Sequence, residues 1–364
     1  MEKEIDIKHS RVRDLLASKN IEGILLSKQS NFLWFTGGKL NDVIKNNDIS
    51  LVNLFITKDK KYLIATNSDA DRVMAEELNG LGFELVKFDW FNQNVFDGLK
   101  KIGVKGKIGA GFASDDTYFM EGDLAEIRIN LTEPEIERYI KFCSQYAKIL
   151  TDYFLSLKKG LTEKELALGL NYECAKKGIR MPVLMVGSDE RIFSFKHPCA
   201  TDKKIDKYVL VGTVGEKDGI CANVSRCIYF GKTPAELKER HSAVNYVISK
   251  FYANATPGRS MMELFEIGKI AYKEAGYDGE WKNHIQGGIS GYNPLEFMIN
   301  ADTDIKIKNN NILIFFPTIK GTKSEDPILV KDGIGEITVF DSRWPFEEVT
   351  ADGKQYKRPL IMEI

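Results

Sequence analysis

The sequence predicts an α+β protein of two parts, and three features of the pattern support this. Residues 9 to about 130 alternate helical and strand patterns, which is typical of an α/β domain. A long helical pattern then begins close to Pro134, and the end of the chain is rich in short apolar runs of strand type. With 364 residues, the chain is long enough to form two separate cores.

The composition is that of an ordinary globular protein and excludes several functional classes. Hydrophobic residues make up 43% and charged residues 28% of the chain, and the net charge is -1. A balanced charge gives no general attraction to nucleic acids or anionic membranes. The first ten residues contain no apolar run, and no apolar run reaches the length of a membrane span. We therefore expect a cytoplasmic protein with no nucleic-acid or membrane partner.

The amino-terminal part has an alternating pattern that predicts seven elements. The apolar spacing predicts helices at 9–19 and 69–78, and strands at 21–26, 51–57, 62–65 and 83–88. The aromatic run at 31–38 predicts a further strand that leads into a glycine turn.

The second part begins where the pattern changes, between residues 130 and 136. Thr132 is a suitable N-cap, with Pro134 and Glu135 in the first turn of a helix that continues to about 158. Further helices are predicted at 162–177, 234–254 and 261–275, and strands at 182–187, 312–316, 328–330 and 336–340. This pattern places the domain boundary at about 130, giving domains at 1–130 and 131–364. The tail at 343–364 is a mixture of polar and aromatic residues and could be a bound extended segment; the sequence leaves open what it binds.

The rest of the chain is organised around residues 196–231. Two apolar runs, 208–214 and 220–230, predict a hairpin whose turn contains Gly215, Asp218 and Gly219. Strand alternation places four small residues on one face of the second strand and Arg226 on the other; the four are Cys221, Asn223, Ser225 and Cys227. An arginine in the middle of an apolar strand requires a partner or a cavity.

This stretch resembles the centre of the pita-bread metallopeptidases, a family that includes methionine aminopeptidase, aminopeptidase P, prolidase and creatinase. The matching segments are 201–205 and Val224-Ser225-Arg226, and the turn at 35–37 (Phe-Thr-Gly) is similar to one in creatinase amino-terminal domains. The resemblance implies a creatinase-type α/β domain at 1–130 and a pita-bread (creatinase-like) domain at 131–364. It also implies a homodimer.

Family members hold two divalent ions with two aspartates, one histidine and two glutamates, and the resemblance carries these positions onto this chain. The five positions are Gly212, Asn223, Gly288, Phe316 and Glu325. Only Glu325 keeps the family residue. One carboxylate and one amide are too few to hold two divalent ions. We therefore expect no metal and no other cofactor, and no family metallopeptidase mechanism.

Polar residues nevertheless remain at positions that line the family's substrate pocket. The candidate catalytic residues are His197, His284, Glu325 and Arg226, and the candidate substrate-binding residues are Tyr292, Gln286, Lys323 and Asn223.

Each of these residues also has a structural explanation. His197 would then be a loop residue and His284 a core residue, Arg226 and Glu325 a buried ion pair, Lys323 a solvated charge and Tyr292 a turn aromatic. The two remaining histidines, His9 and His241, lie on amphipathic helices and are predicted to be exposed.

Three functions follow from this pattern. The first is a metal-independent hydrolase or lyase on a small amide-, amidine- or peptide-like molecule, with His197 as general base or acid. The second is a non-catalytic relative that binds a peptide or a protein partner. The third, an active metal-dependent Xaa-Pro dipeptidase, follows from family resemblance alone. A thiolate zinc site from Cys199, Cys221 and Cys227 is a further alternative, but no Cys-x-x-Cys spacing supports it.

Overall fold

The computed structural model describes residues 2–41, 43–45 and 47–364, so residues 1, 42 and 46 of the predicted domain 1–130 lie outside the described part. The chain forms two compact units. Unit 1 comprises Met1–Glu135 and Asp218–Ile220, and unit 2 comprises Ile136–Lys217 and Cys221–Ile364. Helices and sheets occur in both units, which confirms the predicted α+β class.

Unit 1 contains a six-stranded mixed sheet with the strand order β4-β3-β2-β1-β5-β6. Its strands are β1 (Gly23–Lys28), β2 (Ile49–Thr57), β3 (Lys61–Thr66), β4 (Glu84–Phe88), β5 (Ile108–Ala110) and β6 (Thr117–Phe119). Its helices are α1 (Glu2–Lys19), α2 (Gln29–Phe35), α3 (Ala70–Glu76), α4 (Val95–Lys101) and α5 (Glu121–Arg128). β1, β2 and β3 pair antiparallel, whereas β4, β5 and β6 join the sheet in parallel.

The strand predicted at the aromatic run of 31–38 is wrong, because these residues form helix α2. All of Ser30–Phe35 are buried, so the run shows no polar face from which a helical period could be recognised. The predicted glycine turn is correct. Gly37 and Gly38 follow the helix with φ of 73° and 91°, a region that glycine enters without strain.

In the described part of the chain, unit 2 contains five of the ten α-helices and most of the strands. The helices are α6 (Glu133–Leu155), α7 (Glu163–Ala175), α8 (Glu190–Ser194), α9 (Ala235–Asn254) and α10 (Met261–Glu274), followed by a 3-10 turn (Glu280–Asn283). The first strands are β7 (Arg180–Ser188), β8 (Tyr208–Lys217), β9 (Ile220–Tyr229), β10 (Gly287–Ser290), β11 (Phe297–Met298) and β12 (Ile312–Phe315). The later strands are β13 (Thr318–Ile319), β14 (Thr322–Lys323), β15 (Asp326–Lys331), β16 (Ile334–Ile337), β17 (Phe346–Ala351), β18 (Lys354–Pro359) and β19 (Met362–Glu363).

Helix starts in unit 2 follow the predicted capping residues. The Thr132 hydroxyl and backbone N–H both donate to Glu135 Oε2, at 2.8 and 2.7 Å, at the start of α6. At α7, Thr162 and Glu165 form a capping box, in which each side chain bonds the other residue's backbone N–H. The predicted starts at 132 and 162 are therefore confirmed.

Two sheets of unit 2 meet at β9. One sheet has the order β19-β9-β8-β7 and the other the order β11-β10-β12-β15-β16. The backbone N–H of Ser225 on β9 donates to the Glu325 carbonyl at 3.0 Å, and that of Cys221 donates to the Gly291 carbonyl at 2.9 Å. These backbone contacts join one edge of β9 to the segments before β15 and after β10.

The predicted β8–β9 hairpin is confirmed, with one correction. Asp218 and Gly219 form the turn with φ of 51° and 82°, as a two-residue hairpin requires. Gly215 lies within β8 instead, where a Cβ would be 2.8 Å from Tyr146 Cζ. The carboxyl-terminal tail is bound within the same unit, since β19 pairs with β9 in parallel.

Candidate functional site

Two candidate histidines that are 87 positions apart in the sequence meet in the structure. His197 Nε2 lies 3.0 Å from His284 Nε2, and the ring centroids are 4.8 Å apart. His284 is buried and packs edge-on against Phe316, whereas His197 is exposed. The other ring nitrogen of His284, Nδ1, lies 2.6 Å from the Ile285 carbonyl oxygen.

These contacts determine which nitrogens carry protons. A carbonyl oxygen only accepts hydrogen bonds, so His284 Nδ1 carries a proton and donates to Ile285. Burial, followed by the charge of Lys323 and the nearby His197, lowers the pKa of His284 to about 3 and keeps its ring neutral. His284 Nε2 must then accept from His197 Nε2–H, which leaves the lone pair of His197 on Nδ1. The pKa of His197 is also lowered, by desolvation and by Lys323, with Glu325 acting in the opposite direction.

A buried ion pair lies next to the histidines. Lys323 Nζ is 2.7 Å from Glu325 Oε2, and both side chains are about 5% exposed. Ser225 Oγ donates to the same carboxylate oxygen at 2.5 Å, and the ammonium group lies 5.1 Å from the centroid of the Phe316 ring. The alternative explanation of Lys323 as a solvated charge is therefore wrong.

Arg226 belongs to a different ion-pair group. Its guanidinium contacts Asp326 Oδ1 at 2.8 Å and lies 5.4 Å from the Trp344 ring, and Asp326 also binds Arg358 at 2.8 Å. Consecutive residues of an extended chain point to opposite faces. The side chain of Glu325 therefore points to one side, towards Lys323, and that of Asp326 to the other, towards Arg226 and Arg358. The predicted Arg226–Glu325 pair is wrong, although both residues do form buried ion pairs.

The two positions that correspond to the family's aspartates contain no carboxylate. At Gly212, an added Cβ would lie 2.8 Å from Met185 Cε and 3.9 Å from Lys323 Nζ. Asn223 donates from Nδ2 to the Pro294 carbonyl at 3.3 Å, and its buried Oδ1 has no hydrogen-bond partner among the described residues. The ammonium of Lys323 therefore points towards the space that a side chain at position 212 would enter.

The two positions that correspond to the family's histidine and first glutamate are also occupied by groups that bind no metal. A Cβ on Gly288 would lie 1.8 Å from the Phe297 carbonyl oxygen, so this backbone excludes any side chain there. The ring of Phe316 packs against His284 and Lys323.

These residues do not fit a pair of divalent ions. Paired ions need several carboxylates to offset their charge, whereas the five positions supply one carboxylate that an ammonium group already neutralises. Within the described ranges, 2–41, 43–45 and 47–364, no three His, Cys, Asp or Glu side chains converge as a metal-binding group. The structure gives no support to the alternative zinc site of Cys199, Cys221 and Cys227. Burial raises the pKa of the Cys221 and Cys227 thiols and so disfavours the thiolate form that binds zinc, while Cys199 is exposed.

Two of the predicted substrate-binding residues make structural contacts. Gln286 donates from Nε2 to the carbonyls of His284, at 2.6 Å, and Trp281, at 3.1 Å, and so braces the turn that carries His284. The Tyr292 hydroxyl accepts from Arg138 Nη2 at 3.0 Å. Gln286 thus supports the histidine pair, and Tyr292 contacts helix α6.

Sequence reasoning missed two polar contributors to the site. Ser225 was placed on the correct face of β9 but was given no role, although its hydroxyl bonds Glu325. Lys196, directly before His197, donates to Thr318 Oγ1 at 3.1 Å, and burial lowers its pKa. The alternation that identified Asn223 also contained Ser225, whereas no local pattern marks Lys196.

Comparison with known proteins identifies the family and the fold. The sequence model of metallopeptidase family M24 matches residues 137–332, and that of the creatinase/prolidase N-terminal domain matches residues 8–121. The chain belongs to metallopeptidase family M24. The predicted pita-bread fold with a creatinase-type amino-terminal domain is therefore confirmed.

Several proteins similar to this chain are named as dipeptidases or prolidases, and their sequence identity to it is low. An Xaa-Pro dipeptidase from Pyrococcus horikoshii is 23% identical over 357 residues, covering 92% of this chain and 98% of the relative. The prolidase structure from Pyrococcus horikoshii has a TM-score of 0.77 at 19% identity, covering 92% of this chain and 98% of that one. The structure of dipeptidase PepE from Mycobacterium ulcerans has a TM-score of 0.78 at 12% identity, and the match covers 100% of this chain and 98% of that one. At these identities the structures show a shared fold alone. Among the described residues, no helix has the length and hydropathy of a membrane span.

Proposed function

We propose that this M24 protein is a metal-independent hydrolase or lyase that acts on a small amide-, amidine- or peptide-like molecule. The observation that carries the proposal is the histidine pair, in which His284 orients an exposed His197 and leaves its Nδ1 as a proton acceptor. The similarity to an Xaa-Pro dipeptidase and to a prolidase supports a short peptide or a peptide-like molecule as ligand.

In the proposed hydrolysis, His197 Nδ1 takes a proton from an attacking water as the new C–O bond forms. The same nitrogen then returns this proton to the leaving nitrogen as the C–N bond breaks, so no net proton is gained. Lys323, whose charge lowers the pKa of both rings, donates to the oxygen that becomes negative. In a lyase reaction, His197 Nδ1 would instead remove a proton from a substrate carbon; the C–H electron pair would form a double bond as the bond from the neighbouring carbon to the leaving nitrogen breaks, and His197 would return the proton to that nitrogen.

The structure changes two roles that were expected from the sequence. His284 cannot donate to an oxyanion, because its only N–H bonds the Ile285 carbonyl; it is a positioning residue for His197. Arg226 is engaged by Asp326 and Trp344, so it has no part in the proposed mechanism. Glu325 contributes by holding the Lys323 ammonium group in place.

Turnover in the presence of a chelator tests the proposal. Purified protein is incubated with Ala-Pro, Gly-Pro, creatine and simple amides, in EDTA and in Mn²⁺, and compared with the His197→Ala variant. We expect turnover in EDTA that falls by roughly 10²–10⁴-fold in His197→Ala. His9→Gln, which alters a histidine bonded to the Thr57 carbonyl in unit 1, is the matched control and should keep parental activity. A His197→Ala variant as fast as the parent, or activity that EDTA abolishes, would contradict the proposal.

A non-catalytic binding function is the second candidate, and one observation favours it. The polar groups of Lys323, Glu325 and Ser225 satisfy one another, and Met185 and Phe316 occupy space beside them. This candidate predicts no turnover in any condition, together with saturable binding of Ala-Pro or Gly-Pro measured by calorimetry.

A further inference from the structure

Three observations converge on the ammonium group of Lys323. It is buried, with the Lys323 side chain 5% exposed, and it forms its ion pair with Glu325, the one residue that matches the family's metal ligands. It also lies 3.9 Å from the place where a Cβ at position 212 would begin a side chain. A third contact is with the face of Phe316, which stands at another family ligand position.

Electrostatics explains why this arrangement is stable. A buried carboxylate needs a compensating charge and hydrogen-bond donors. In a site built from several carboxylates, divalent ions supply that charge; here a single carboxylate remains, and a single ammonium matches it. A divalent ion beside Glu325 would be repelled by Lys323, and the hydroxyl that bonds this carboxylate, Ser225 Oγ, is a neutral ligand.

We propose that the Lys323 ammonium is a built-in cation that replaces the metal charge of the M24 site and excludes divalent ions from it. The inference goes beyond the proposed function, because it applies equally to a catalytic and to a non-catalytic protein. It also makes a prediction about engineered carboxylates. Carboxylates restored at positions 212 and 223 should create a metal site only when Lys323 is removed.

The test compares four variants with the parent: Lys323→Met, Gly212→Asp/Asn223→Asp, the same pair with Lys323→Met, and the same pair with Lys320→Met. Lys320 is an exposed lysine in the β13–β14 turn and is the matched control for loss of a lysine charge. Melting temperature is measured in 1 mM Mn²⁺ and in 1 mM EDTA, and bound manganese is measured after desalting.

We expect Mn²⁺ to raise the melting temperature by about 5 °C or more, with bound manganese, only in the variant that has both aspartates and lacks Lys323. An equal response of the parent, or of the two-aspartate variant with Lys323 intact, would overturn the proposal. Absence of any response to Mn²⁺ in the two-aspartate variant that also carries Lys323→Met would overturn it as well.

A second pair of variants keeps the test valid if the aspartate at position 212 prevents folding by its contact with Met185. Asn223→Asp is isosteric and is made with and without Lys323→Met. Mn²⁺ should stabilise only the version without Lys323, and equal behaviour of the two versions would contradict the proposal. None of these measurements depends on turnover, so the outcome is independent of the role of His197.

Discussion

Ser225 and Glu325 are joined twice, once through their backbones and once through their side chains. The Ser225 N–H donates to the Glu325 carbonyl at 3.0 Å, and its hydroxyl donates to Glu325 Oε2 at 2.5 Å. The backbone bond fixes the distance between β9 and the segment before β15, and the hydroxyl stabilises the buried carboxylate together with Lys323. Fold and site thus depend on the same residue pair.

Ser225→Ala should reduce the free energy of unfolding by about 1–3 kcal/mol, because a buried carboxylate loses a donor. Urea denaturation measures the change. The matched control is Ser68→Ala, an exposed serine that bonds Asp69, and its effect should stay within about 0.5 kcal/mol. Equal effects of the two substitutions would show that the Ser225 hydroxyl does not stabilise Glu325.

Arg358 and Arg343 allow a buried ion pair to be compared with an exposed one. Arg358 is fully buried and bonds Asp326 at 2.8 Å and Ser324 Oγ at 2.9 Å. Arg358→Met should therefore cost about 3–5 kcal/mol, because it leaves Asp326 with fewer partners. Arg343, about half exposed, bonds Asp152 and Asp341, and Arg343→Met should cost at most about 1 kcal/mol. Chemical denaturation of both variants checks the difference, and a smaller loss for Arg358→Met would contradict it.

The sequence could predict those parts of the site that depend on local pattern. The alternation of β9, the turn at Asp218 and Gly219, and the helix start at Thr162 each follow from the chemistry of a few neighbouring residues. The substituted ligand positions could also be identified, because the spacing along β8 and β9 is local.

The contacts that assemble the site could not be predicted in this way. His197 and His284 are 87 positions apart, and no periodicity reports on their distance. Lys323 and Glu325 have the pattern of a solvated strand edge, but in the structure both are buried, in contact with Ser225 of β9 and with Phe316. His241 was predicted to be exposed, and this was wrong, because the carboxyl-terminal tail brings the Pro359 carbonyl against its ring.

Gly288 provides a prediction about why the family's histidine ligand cannot be restored here. A Cβ at this position would lie 1.8 Å from the Phe297 carbonyl oxygen, in the pairing of β10 with β11. A backbone carbonyl in a paired strand cannot move aside as the end of a flexible side chain can. Gly288→Ala should therefore lower the free energy of unfolding by more than about 4 kcal/mol or prevent folding. At Gly291 the nearest atom is a Glu296 carboxylate oxygen at 3.4 Å, so Gly291→Ala should fold. Soluble yield and urea midpoints measure both, and a stable Gly288→Ala variant would contradict this account of the strand pairing.

His241 makes stability depend on pH in a defined direction. Burial is the main cause that lowers its pKa from 6.5 to about 4; the hydrogen bond to the Pro359 carbonyl opposes this shift, and the charges of Arg358 and Arg226 add to it. Its Nε2–H donates to that carbonyl and its Nδ1 accepts from Thr322 Oγ1 at 2.7 Å, so the folded protein requires the neutral ring.

Between pH 6.5 and 4, His241 therefore binds a proton in the unfolded chain but stays neutral in the folded protein. The contribution of His241 to the free energy of unfolding is fully present above pH 6.5. It falls by about 3 kcal/mol as the pH decreases from 6.5 towards 4. Urea midpoints at pH 7.5, 6.0 and 5.0 should fall for the parent and fall less steeply for His241→Gln, which cannot titrate. His9→Gln is the matched control, because the pKa of His9 is also lowered but its ring is only partly buried, so it should retain most of the parental slope. Parallel curves for the parent and His241→Gln would show that another group, such as His284 with its pKa of about 3, dominates the acid sensitivity.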